Sequence, residues 1–236
     1  VATLSAISAN MGTITAGTIT GATIQTAVSA SSVLLDSYDE TNQNALFSLR
    51  ADNYTNEGQS FTNTNALALH SCKFYLKKSG TPTGNAYAKL YAHSGTYGTS
   101  SLPTGSALAT SDAFDVSTLS TSLALITFSF SGLNRIPLSA STYYVIVLNY
   151  SGTSDVSNYV AVGVDTSSTS ASGNEVSSIG DSSWEVGASS DLIFYVYGIN
   201  DTRFVMTSTA FQGINSAGAT IFENIISGTD EGDVIM

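Results

Sequence analysis

From about residue 33 to residue 198 the chain alternates between apolar and polar positions. Cys72, Phe74 and Leu76 fall on one side of an extended segment, with Lys73, Tyr75 and Lys77 on the other. Ala86, Ala88, Leu90 and Ala92 alternate in the same way with Tyr87, Lys89, Tyr91 and His93, and Ile126, Phe128 and Phe130 with Thr127, Ser129 and Ser131. A period of two places successive side chains on opposite faces of a strand, so each run predicts a strand with one buried face. Residues 143–150, 159–164 and 192–197 are rich in β-branched and aromatic residues and also read as strands. Turn-rich stretches separate them at 79–84, 94–106, 151–158, 165–183 and 187–191. No segment shows the 3.6-residue period of an amphipathic helix. Two alternating sets with one face each to bury predict two sheets packed together, and many short strands with Gly/Ser/Thr turns predict an all-β fold, a β-sandwich or jelly roll.

The first thirty residues follow another rule. GTITA at 12–16, GTITG at 17–21 and ATIQT at 22–26 repeat, so that Ile14, Ile19 and Ile24 recur every five residues. Five is not a helical period, and one apolar residue in five makes no core within one chain. Such units bury their faces by stacking on neighbours or on other chains. One reading is a trimeric β-stalk with Ile14, Ile19 and Ile24 of three chains at its axis; the other is a flexible low-complexity linker. After Gly198 the pattern weakens, and the short apolar stretches at 204–206, 221–222 and 225–226 are read as a connecting piece. The expected organisation is a stalk at 1–32, a jelly-roll sandwich at 33–199 and a connector at 200–236. Lacking an initiator Met and ending abruptly, the chain is read as a piece of a longer polypeptide.

Composition narrows the function classes. Charged residues make up 11% of the 236 residues, against about 25% in an average soluble domain. Hydroxyls and amides replace them, as in extracellular and viral β-proteins. The net charge of −11 repels phosphate backbones and anionic lipid heads, so nucleic-acid partners are not expected. No run of 18 apolar residues occurs, so no membrane insertion is expected. Cys72 is the single cysteine; it cannot pair within the chain and reads as a small buried hydrophobe.

The chemistry-bearing residues are sparse. His70 and His93 match no metal or triad spacing, and no G-x-S-x-G, HExxH, P-loop or CxxC is present. The chain is therefore not expected to be an enzyme. Glu57, Glu175 and Glu185 are the residue type a glycosidase pairs, but nothing in the sequence brings two of them together. Loop acids suit a hard cation, and Asp165, Glu175, Asp181 and Asp191 are candidate ligands for a structural Ca²⁺; no other cofactor is expected. Carbohydrate binding needs an aromatic platform with directional polar partners. Trp184, Tyr97, Tyr54 and Tyr159 are candidate platforms, with 94–106 and 165–190 as the preferred surfaces.

The runs GQSFT at 58–62, residues 74–119, ITFSFSG at 126–132, TYYVIVLNY at 142–150, NYVAVGVD at 158–165, SGNEV at 172–176, Trp184 and DLIFYVYG at 191–198 together resemble a jelly-roll domain of phage and viral structural proteins and large bacterial surface proteins. The stretch at 4–24 resembles the stalk repeats of phage tail fibres, and SGTDEGDVIM at the C-terminus resembles a segment of the same fibre proteins. The resemblance implies a structural or adhesive module of a virion or cell surface, a homotrimer, and a host-surface glycan or protein receptor as partner. Lectin-like binding follows from it by analogy of fold alone. A bacterial surface adhesin and a carbohydrate-binding module of a secreted protein are the alternatives.

Overall fold

A computed structural model describes residues 31–167, 171–180, 183–187 and 189–200, together with the backbone of strands at 23–27, 203–207, 210–214 and 220–225. The first strands in chain order are β1 (Thr23–Ala27), β2 (Val33–Tyr38), β3 (Ala45–Leu49), β4 (Asn56–Asn63), β5 (Ala68–Ser79) and β6 (Asn85–Ser94). Next come β7 (Leu102–Thr110), β8 (Phe114–Asp115), β9 (Ala124–Ser129), β10 (Thr142–Tyr150), β11 (Tyr159–Asp165) and β12 (Glu175–Ser178). The last are β13 (Trp184–Gly187), β14 (Asp191–Leu192), β15 (Phe194–Ile199), β16 (Arg203–Thr207), β17 (Ala210–Ile214) and β18 (Thr220–Ile225). Among the described residues the only helical turns are short 3₁₀ segments, such as Glu40–Asn42 capped by the Asp39 side chain.

The chain is all-β, built around a two-sheet sandwich. One sheet runs β13-β12-β4-β10-β6-β7, with β8 also on β6. The other runs β14-β11-β5-β15-β2, with β3 on β11 and β9 on β5. All pairings are antiparallel. The expected alternation holds in β5, where Cys72, Phe74 and Leu76 are buried and Lys73, Tyr75 and Lys77 are not. Their partners inside are Ala86, Ala88 and Leu90 of β6, Ile146 and Leu148 of β10, and Val160, Val162 and Val164 of β11. Removing the Val, Leu, Ile and Phe side chains among them from water contributes about 1.5–3 kcal/mol each, which is what holds the two sheets together. Cys72 is part of this core, and burial pushes its thiol pKa up, so it packs as an inert hydrophobe.

The first sheet has a second, smaller cluster on its outer face. Val145 and Val147 of β10, Val176 of β12 and Tyr91 of β6 are buried there against Leu102, Ala107 and Trp184. The sheet curls enough to bring its two edge strands, β7 and β13, into contact over that cluster.

The segments expected to be stalk and connector meet in one four-stranded antiparallel sheet of order β1-β16-β17-β18. Thr23–Ala27 pairs with Arg203–Thr207, setting Ile24 opposite Met206. The short apolar stretches at 204–206 and 221–222 are thus strands of this sheet. Ile14 and Ile19 lie outside the described residues, and only the backbone of Ile24 is described.

Candidate functional site: a carboxyl-lined cleft

Register alone places the acidic residues. On β4 the inward positions are Glu57, Gln59 and Phe61, because their partners on β10 are the core residues Leu148, Ile146 and Tyr144. β12 sets Ser177 opposite Glu57 and Glu175 opposite Gln59. β13 then sets Glu185 opposite Ser177 and Gly187 opposite Glu175. Glu57, Ser177 and Glu185 therefore form one cross-strand row, and Gln59, Glu175 and Gly187 the next, on one face of three neighbouring strands.

This polar end of the sandwich interior opens as a cavity of about 400 Å³ between β12–β13 and the edge strand β3 of the other sheet. Leu46, Phe47 and Ser48 form one wall; Glu57, Glu175, Ser177, Glu185, Val186 and Gly187 form the other; Asn53, Tyr54 and Ser190 line the rest. The volume is in the range of small-molecule sites. Among the described residues, no Lys, Arg or His lines it.

Glu57 and Glu175 are only 2% and 3% exposed. Their carboxyl groups are close neighbours that act on each other. Burial, the largest cause, raises the pKa of both; the Glu175 charge adds to the effect on Glu57, and Asp191 and Glu185 add to that on Glu175, which is pushed up to about 7. Its interactions with Glu57 and Ser177 pull Glu175 partly back. Glu185 sits at the exposed rim and accepts a hydrogen bond from the Tyr54 hydroxyl at 2.7 Å. Gly187 makes the arrangement possible: a Cβ there would lie 1.5 Å from Glu175 Oε2.

Of the four aromatic residues proposed as platforms, Tyr54 alone lines the cleft. Tyr97 stacks face to face on Tyr143, with centroids 4.1 Å apart, and its hydroxyl lies 2.9 Å from Ser172 Oγ. Trp184 packs edge-on against Tyr91 at 5.5 Å, on the sheet face opposite Glu185. Tyr159 is half-buried at the start of β11, opposite Ser79.

Of the proposed calcium ligands, Asp165 and Asp191 face each other across β11 and β14. Both have protein donors. Asp165 accepts from the Tyr38 hydroxyl at 2.7 Å, from Ser167 N at 2.8 Å and from Asn44 Nδ2 at 2.5 Å. The Tyr38 bond is the largest cause holding its carboxyl well below the ordinary aspartate range. Asp191 accepts from Gln59 Nε2 at 2.8 Å and from Ala171 N at 3.2 Å. Asp181 lies outside the described residues. Among the described residues, no three His, Cys, Asp or Glu side chains converge in a ready metal cage.

Glu57, Glu175 and Glu185 were legible only as a residue type; the fold brings them together. Sequence reasoning missed Phe47, Asn53, Ser177 and Gly187, which carry no signal until β3, β12 and β13 are placed around the cleft. No family model, curated protein or solved structure matches the chain.

Proposed function

We propose that the chain is an adhesive module of a viral, tail-fibre-like or surface appendage, and that the cleft between its two sheets binds host-surface carbohydrate. The observation that carries this reading is the lining of the cleft. It combines an aromatic ring (Tyr54), an amide (Asn53), hydroxyls (Ser48, Ser177, Ser190) and carboxyl groups in a cavity of about 400 Å³. Sugars are bound by that mixture, with rings covering their apolar faces and polar groups fixing their hydroxyls. Binding is favoured over glycoside hydrolysis because Glu57 and Glu175 stand on adjacent strands of one sheet as directly interacting neighbours, whereas a hydrolytic pair stands about 5–9.5 Å apart to flank the scissile bond.

The sandwich is read more finely as a jelly roll. The pairings β6–β7, β5–β9, β4–β10 and β3–β11 nest as one long hairpin, and β11–β5 and β10–β6 join its two arms on rolling. Such heads gain attachment strength from multivalency, and a trimer assembled through 1–32, with Ile14, Ile19 and Ile24 at its axis, would present three clefts at once.

Titration with a panel of cell-surface oligosaccharides tests the cleft. Binding is expected, with affinity reduced about tenfold by Tyr54→Ala, which removes the ring. Equal affinity in Tyr54→Ala, or loss only in Tyr143→Ala on the outer face, would place any sugar site elsewhere.

A further inference from the structure

Glu57 on β4 and Glu175 on β12 project side by side into the cleft, and each keeps one buried oxygen, Glu57 Oε2 and Glu175 Oε1, without a hydrogen-bond partner. A carboxyl oxygen taken out of water with no donor is costly, and in a folded protein it points to a bound species that satisfies it. The other charged groups acting on the pair, Glu185 and Asp191, are carboxyls as well. The one phenol nearby, Tyr54, already donates to Glu185. Among the described residues, no basic side chain lines the cavity to neutralise the pair.

We infer that Glu57 and Glu175 hold a hard divalent cation of the calcium class in the cleft. The donors available are all oxygens, the set such ions select. With no third acidic ligand converging on the pair, the shell is completed by Ser177, which is within reach of Glu175, and by water; calcium tolerates this with its six to eight flexible ligands. The site differs from a loop site built on Asp165 and Asp191, whose carboxylates already take protein donors. The inference stands independently of the carbohydrate reading, since the ion needs no sugar.

Calorimetric titration of chelator-treated protein with CaCl₂ alone is the test. One ion per chain is expected, with affinity lowered about tenfold or more in Glu57→Gln and in Glu175→Gln. Asp52→Asn, at an exposed acid paired with Arg50, is expected to bind as the parent does. Terbium luminescence sensitised by Tyr54, lost in Tyr54→Phe, is a second readout that leaves the carboxyl pair intact. The absence of any heat or melting shift up to about 5 mM calcium, or equal affinity in both Gln variants, would overturn the site. Loss of sugar binding with calcium binding retained would count against the carbohydrate reading alone.

Discussion

Raising the pH from about 5 to about 8 is expected to lower the melting temperature, and Glu175→Gln is expected to remove the part of that loss that Glu175 contributes. An unfolded glutamate gives up its proton near 4.5, whereas Glu175 in the folded cleft holds its proton to about 7. Below 4.5 both states are protonated and the contribution of the group is fully present. Between the two values the folded state keeps a proton that the unfolded chain has lost, so stability falls as the pH rises, and above 7 the loss is complete. The shift corresponds to a loss on the order of 3 kcal/mol, or about 10 °C for a chain of this size. Glutamine keeps the shape and can donate a hydrogen bond, but it cannot ionise. The variant is therefore expected to show a flatter profile and to melt above the parent at alkaline pH. Thermal melts of parent and variant across the pH range check this; parallel profiles would show that the pair does not hold the proton. The acid side has the opposite sign. Asp165 titrates well below its ordinary value in the folded state, so its contribution is present above that value and fades as the pH falls towards the folded pKa.

Phe74→Ala is expected to cost about 3–5 kcal/mol, enough to leave much of the chain unfolded near physiological temperature. Phe74 is fully buried on β5, edge-on to Phe128 at 5.9 Å, and Phe128 in turn meets Phe114 at 5.7 Å. Truncation leaves a cavity at the centre of the face through which the two sheets touch, where antiparallel neighbours on both sides limit collapse. Leu133→Ala is the matching control, since that side chain is 98% exposed and its loss is expected to change stability by less than about 0.5 kcal/mol. Urea unfolding of both variants measures the difference. A Phe74→Ala cost similar to that of Leu133→Ala would mean that the core is not where the alternation puts it.

The sandwich was legible wherever its inner face is apolar. β5, β6, β10 and β11 follow the period of two because each places apolar side chains such as Phe74, Leu90, Ile146 and Val162 against the other sheet. β12 was hidden in a stretch read as turn, because its inward residues are Glu175 and Ser177 and its single large apolar residue, Val176, faces out. β13 was hidden for the same reason, with Glu185 and Gly187 inward. β7 overlaps another turn-rich stretch because it carries Pro103 and Gly105; as an edge strand it tolerates a missing ladder donor. The candidate site and the unread strands are thus one phenomenon. The interior is polar where the cleft lies, and polarity on the inner face erases the pattern by which strands are recognised. The acids could be named from the sequence, but their convergence depends on register, which pairs Glu57 with Ser177 and Glu175 with Gln59.

The most direct test of the site is carbon-13 NMR of the side-chain carboxyls of Glu57 and Glu175, assigned through their Gln variants and followed as a function of pH. The account requires two coupled steps, with one proton retained by the pair towards pH 7. Two independent titrations near about 4.3, the range of solvated glutamates, would mean that the two carboxyls face water separately and that the cleft is not the binding site described.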